Sequence, residues 1–251
     1  MEKKIAYYLG YELSPALQTQ ILDTIERIQQ GGNTDKLCAL AADTIINVTD
    51  AGFIAYYDTP TTMAGLSKPI KRATDAGIHT VQKGIKVVIR KLLKNRSQED
   101  LNRLAFNLSH LICINTRDSQ KAYACFRLRK PLYQKAITNM RRVHEDPNVD
   151  AYRSDVIETI EDLIASGIEM FYTRPVDQAN IGKLTRKAAD LGMNGVQKGT
   201  NAVIHRMFKG ISHQELVPLA SYFETLLHNN VDTYYRTRTE HTQSNHANQS
   251  A

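Results

Sequence analysis

Residues 73–94 read ATDAGIHTVQKGIKVVIRKLLK, and residues 188–209 read AADLGMNGVQKGTNAVIHRMFK. The word VQKG recurs 115 positions apart, each time inside a segment whose apolar residues fall on helical spacing. Sliding the chain by 115 aligns residues 8–112 with 123–227 without a gap. Matched identities include Tyr8/Tyr123, Thr44/Thr159, Gly52/Gly167, Tyr57/Tyr172, Pro60/Pro175, Asp75/Asp190 and Leu101/Leu216. A gapless repeat of this length predicts two copies of one structural unit, each close to a small domain in size.

Within each copy the punctuation predicts four helices. The first opens at Ser14-Pro15 and closes at the glycines before Asn33; its counterpart opens near Pro131. The second runs from about Thr34 to Tyr57 and from about Asp150 to Tyr172, and is expected to stop before Pro60 and Pro175. The third begins near Lys68 and Lys183 and carries VQKG. The fourth opens at Ser97-x-x-Asp100 and Ser212-x-x-Glu215, the spacing of a capping box, and runs to about Ile114 and His228. Alternating runs bounded by Asn-Gly or Asp-Gly turns are missing, so no sheet is expected. The fold expected is all-α: two tandem homologous four-helix units packed about a pseudo-two-fold axis. The first unit covers 1–115 and the second 116–230, with 231–251 a mobile polar tail.

Projected at 100° per residue, Ile78, Val81, Ile85, Val88, Ile89 and Leu92 share one arc of about 100° on the third helix. Gly77 and Gly84 fall together at its edge, and Gly192 and Gly199 repeat them. A glycine inside a helix costs roughly 1 kcal/mol relative to alanine, so something must offset it. Close approach of another backbone is the structural reason expected, the third helix of the other copy being one candidate source, and contact with a ligand is the alternative reading.

The opposite arc is basic. Arg72, Lys83, Lys86, Arg90 and Lys94 lie within about 60° of one another. Lys187, Lys198 and Lys209 stand at the matching positions of the second copy, where Asn201 and His205 replace Lys86 and Arg90. Residues 68–96 hold nine basic side chains against one acidic, and residues 183–209 six against one. The whole chain is only +6, so its remainder is net negative, with acids gathered on the second helices. Such a face is either a solvated surface with interhelix ion pairs or an anion-binding stripe.

Composition narrows the rest. Of 251 residues 42% are hydrophobic and 23% charged, a globular balance. No transmembrane run and no signal-peptide pattern stand out, so a cytoplasmic location is expected if the first residues are native. Cys38, Cys113 and Cys125 are too few and too scattered for a disulfide framework or a zinc site, and are expected as buried filler. No phosphate-binding loop, dinucleotide fingerprint, nucleophile elbow or zinc-protease motif occurs, so no catalytic residue, metal or cofactor is assigned. A two-fold axis could still bring Asp75 to Asp190, or Asp43 to Glu158, as a carboxylate pair. The expectation is a non-enzymatic interaction protein presenting a basic helical surface to an acidic protein or nucleic acid. The alternative is an enzyme or small-ligand binder using a cleft between the repeats. Self-association is left open.

Overall fold

A computed structural model describes residues 6–63, 68–115, 118, 121–178, 182–229 and 231–233, and every structural statement concerns those residues. The chain is mostly helical. Capping chemistry sets the helix starts: Ser14 accepts from the Leu17 N–H at 3.3 Å and Pro15 opens α1 (Pro15–Gln30). Gly31, at φ 76°, closes α1, and Asn33 accepts from the Lys36 N–H at 3.0 Å to open α2 (Thr34–Phe53). Ser97 and Ser212 form full capping boxes with Asp100 and Glu215 at the starts of α5 (Gln98–Leu111) and α10 (His213–Thr225).

The prolines do not end the second helices. α2 runs into a five-residue π turn, Ile54–Asp58, and on into α3 (Thr59–Met63), which holds Pro60. α7 (Arg153–Ile168) likewise runs through Glu169–Thr173 into α8 (Arg174–Gln178), which holds Pro175. The Thr59 N–H bonds to the Ile54 carbonyl and the Arg174 N–H to that of Glu169, a five-residue step. The widened turn moves the carbonyl that a pyrrolidine ring would strike, and the helix continues instead of stopping. The long helices α4 (Lys68–Leu93) and α9 (Lys183–Phe208) follow, and α6 (Lys130–Glu145) completes the main set.

The expected absence of strands is overturned by a five-stranded antiparallel sheet in the order β4-β1-β3-β2-β5. Its strands are β1 (Tyr7–Glu12), β2 (Ile112–Asn115), β3 (Ala122–Leu128), β4 (Leu227–His228) and β5 (Val231–Thr233). The ends expected of the fourth helices are therefore sheet, as Ile112–Asn115 and Leu227–His228, and the first residues of the expected tail are β5. The rest of that tail, 234–251, lies outside the described residues. The strands escape a search for alternation because both faces of the sheet are covered. Leu9, Tyr11, Ala124 and Phe126 face the central core, while Tyr8, Tyr123, Cys113 and Cys125 form a second cluster with Val231. A strand buried on two sides reads as unbroken apolar sequence.

Sheet and core join the two halves of the chain. β1 pairs with β3 in the register Tyr8↔Arg127 and Glu12↔Tyr123, and β4 flanks β1 with His228 opposite Tyr8. The central core interleaves Ile21, Ile25, Leu37 and Leu101 with Phe126, Leu132 and Ala136. A second core gathers Met140, Val143, Tyr152, Val156, Phe208, Ile211 and Leu216. The units 1–115 and 116–230 thus share one sheet and one core, and each carries strands that a four-helix unit lacks. The helical run Thr34–Met63 is long and apolar enough by length and composition to cross a membrane, an 18-residue window in it having a mean hydropathy of 1.4. In this fold Leu37, Cys38 and Ala41 of that run lie in the central core. All three cysteines are buried and free.

Candidate polyanion-binding face

α4 and α9 pack on each other, and their contact is set by the repeated glycines. A Cβ on Gly77 would stand 2.6 Å from Val203 Cγ2, and one on Gly192 would stand 2.8 Å from Val88 Cγ2. Between them, a Cβ on Gly84 would meet Val196 Cγ2 at 3.3 Å, and one on Gly199 would meet Val81 Cγ2 at 3.1 Å. Stepping forward from Gly77 through Gly84 to Val88 goes back on α9 from Val203 through Val196 to Gly192, an antiparallel register. VQKG sits at its centre on both helices. Valine methyls seated over glycines let the two helices pack closely.

The same register orders the exposed cations. Lys83 comes level with Lys198, Arg72 with Lys209, and Lys94 with Lys187, each to within one residue. All six are exposed, and none makes an ion pair among the described residues. Lys94 and Lys209 directly follow the last residues of their helices, where positive charge also suits the helix dipole. The result is three cross-helix rungs of paired cations. Eleven residues separate successive rungs, about 16 Å at 1.5 Å per residue, and the outer two stand about 33 Å apart. Lys91 and Arg206, at matching positions, are also exposed and unpaired among the described residues.

Two residues of the expected stripe leave it. Lys86 Nζ lies 2.8 Å from Asp50 Oδ2, and the Arg90 guanidinium 3.2 Å from Asp43 Oδ1, so both turn down the flank onto α2. On α9 the counterpart is His205, whose Nε2 lies 3.1 Å from Glu161 Oε1 on α7. The acids of α2 and α7 thereby claim the flanking bases, and the rungs keep the outer face.

The one carboxylate on each long helix is also engaged away from the rungs. Tyr57, in the first π turn, is buried and donates its hydroxyl to Asp75 Oδ1 at 3.0 Å, with Thr74 Oγ1 2.6 Å from the same oxygen. Tyr172, in the second, donates to Asp190 Oδ1 at 2.7 Å. Lys71 Nζ lies 3.0 Å from Asp75, and Arg186 Nε 3.8 Å from Asp190. Burial, then the carboxylate, pushes both phenols well above the ordinary tyrosine range, so they stay neutral donors. These hydroxyls tie each π turn to its long helix. Nor do Asp75 and Asp190 form a pair. The antiparallel register puts them fifteen residues apart along the helices, about 22 Å.

No carboxylate on α4 or α9 therefore shares the rung face. Val87 and Leu191 are exposed there at 53% and 64%, with Ala76, Ala202 and Gly195 alongside. Among the described residues no three metal-ligating side chains converge.

A cavity of about 110 Å³ lies elsewhere, where α5 faces the second π turn and α8. Leu93, Leu101, Leu104, Asn107, Phe171, Tyr172 and Val176 are among its lining. Its origin is legible from the repeat offset. Where the second half puts Phe208, 1% exposed, and Tyr222, the first half has Leu93 and Asn107. At the counterpart position α3 packs on α10.

Lys91 and Arg206 are the residues of the face that a single-helix projection omits. Their signal was their shared charge at the 115-residue offset. Comparison with known proteins finds no family model, no curated protein and no solved structure that matches the chain.

Proposed function

We propose that the chain is a non-enzymatic macromolecular-interaction protein that binds an extended polyanion, an acidic protein or a nucleic acid, on the α4–α9 face. The observation that carries this reading is the set of three rungs: six exposed, unpaired cations in a regular array with no carboxylate among them. Like charges held in register across two helices repel, weakly at the surface, and a bound polyanion relieves that repulsion. Within the same reading the chain is two copies of one module, related by a local two-fold axis through the VQKG segments. Reciprocal glycine–valine contacts and π turns 115 residues apart support this. Free, buried cysteines support a reducing compartment such as the cytoplasm.

The test compares the wild type with the variant K83Q/K94Q/K187Q/K198Q for binding to polyglutamate and to nucleic acid at 50 mM salt. The variant should bind at least tenfold more weakly, with an unchanged thermal midpoint because all four side chains are exposed. Equal binding by wild type and variant refutes the reading. A second reading, a small apolar ligand between the halves, is favoured by the 110 Å³ cavity alone.

A further inference from the structure

Resting on that reading of the face, we propose that the polyanion is a nucleic-acid duplex, held by its sugar-phosphate backbone without regard to sequence. The geometry that selects a duplex is the rung period. A B-form turn is about 34 Å long, and each of its two strands crosses any line drawn along the surface once per turn. The two strands are offset by grooves of unequal width, so crossings alternate at a shorter and a longer interval that together make one turn and average about 17 Å. The rungs recur every 16 Å or so, and the three of them span about 33 Å, close to one turn. Each strand crosses obliquely, so it passes over both helices, and each rung offers one cation on each.

The alternatives lack this match. An unstructured acidic segment has no repeat near 16 Å and gains nothing from the regular array. A single strand is gripped by aromatic platforms on which bases stack. Between the rungs Val87, Leu191, Ala76 and Ala202 are exposed, and α4 and α9 expose no phenylalanine, tyrosine or tryptophan; the exposed imidazoles of His79 and His205 are engaged by Gln82 and Glu161. Exposed Phe106 and Phe171 belong to α5 and the second π turn. Nothing on the face resembles a base-reading helix either. α4 and α9 lie side by side, and a pair of helices is too broad for a major groove about 12 Å wide that admits one. Contact is thus confined to phosphates, which position a protein but carry no sequence information. Exposed Val87 and Leu191 lie against the sugar edges between strand crossings.

Counterion release makes the proposal quantitative. Neutralising the phosphates opposite six to eight cations gives a slope of log K against log salt of about −5 to −7. Each lysine removed should flatten it by about 1.

The experiment titrates the full chain against four fluorescent probes: two 24-base-pair DNA duplexes of unrelated sequence, one 24-nucleotide single strand, and polyglutamate. Anisotropy is read from 50 to 200 mM NaCl. The two duplexes should bind within threefold of each other and at least fivefold more tightly than the single strand or polyglutamate. K83Q/K198Q and K94Q/K187Q should each flatten the duplex slope by about 2, with circular dichroism unchanged. Rung-dependent binding in which polyglutamate or the single strand equals or exceeds the duplexes overturns the duplex proposal and leaves the polyanion reading intact. Binding to none of the probes at 50 mM overturns both. Tight duplex binding that ignores the rung variants also overturns the proposal, since another surface must then carry it.

Discussion

Replacing Gly77 by alanine should destabilise the protein although alanine is the better helix former. Inside a helix the exchange favours folding by about 1 kcal/mol. The new methyl, however, would lie 2.6 Å from Val203 Cγ2, about 1 Å inside ordinary carbon–carbon contact. Val203 is buried, and a β-branched side chain in a helix has one strongly preferred rotamer, so it cannot swing aside. Relief requires α4 and α9 to part, at an overpacking cost of about 1–3 kcal/mol. The net effect is about 1 kcal/mol of destabilisation. Gly84→Ala is the control in the same helix. Its methyl would sit 3.3 Å from Val196 Cγ2, a few tenths of an ångström of adjustment, so propensity prevails and stability rises by about 0.5 kcal/mol. In a chain of this size 1 kcal/mol moves Tm by about 2–4 °C, so calorimetry should rank Gly84→Ala above wild type and Gly77→Ala below it. Trimming the partner checks the cause: Gly77→Ala with Val203→Ala should be more stable than additivity allows by about 1 kcal/mol. A Gly77→Ala midpoint as high as that of Gly84→Ala, with no coupling to Val203, refutes the packing argument.

Three further outcomes follow from other contacts. Tyr172→Phe removes the donor to Asp190 and should cost about 1 kcal/mol, less than a fully buried charged hydrogen bond because Asp190 is partly solvated; urea midpoints measure it. Burial of His228 lowers its pKa below the ordinary value, its Nε2–H bonding to the Gly10 carbonyl at 3.2 Å. The folded state therefore binds this proton less readily than the unfolded chain. The contribution is whole above about pH 6.5 and is lost as pH falls below it, so His228→Gln should flatten the loss of stability between pH 7 and 5. Leu93→Phe, which copies Phe208 into the lining of the 110 Å³ cavity, should raise Tm by about 2–4 °C, and a lower Tm shows that the cavity cannot take the ring.

The residues that announce themselves in the sequence are those whose effect is local. Ser97 and Ser212 cap the helices they precede, and Ser14-Pro15 opens α1, because a cap needs only its own next turn. The β1 and β3 strands were hidden because Tyr8 and Leu9 are both buried, on opposite faces, and no polar residue marks the pleat. Pro60 and Pro175 read as stops because the π turn that accommodates them has no signature in residue type. For the face, the individual cations were legible as an arc on one helix. Their pairing into rungs was not, since it depends on an antiparallel register fixed by valine methyls over glycines on another helix. Lys86 and Arg90 share the arc with Lys83, and only the placement of Asp50 and Asp43 on α2 takes them out of it.

The pairing of Tyr8 with His228 joins residues 220 positions apart. During synthesis β1 emerges long before its outer neighbour, so the strand must wait with one row of backbone groups open to any passing extended segment. β2 and β3, by contrast, meet within moments of leaving the ribosome. β4 therefore works as a latch: until Leu227 and His228 close on β1, neighbouring nascent chains can lend each other a strand, and closure converts that shared hazard into an intramolecular sheet.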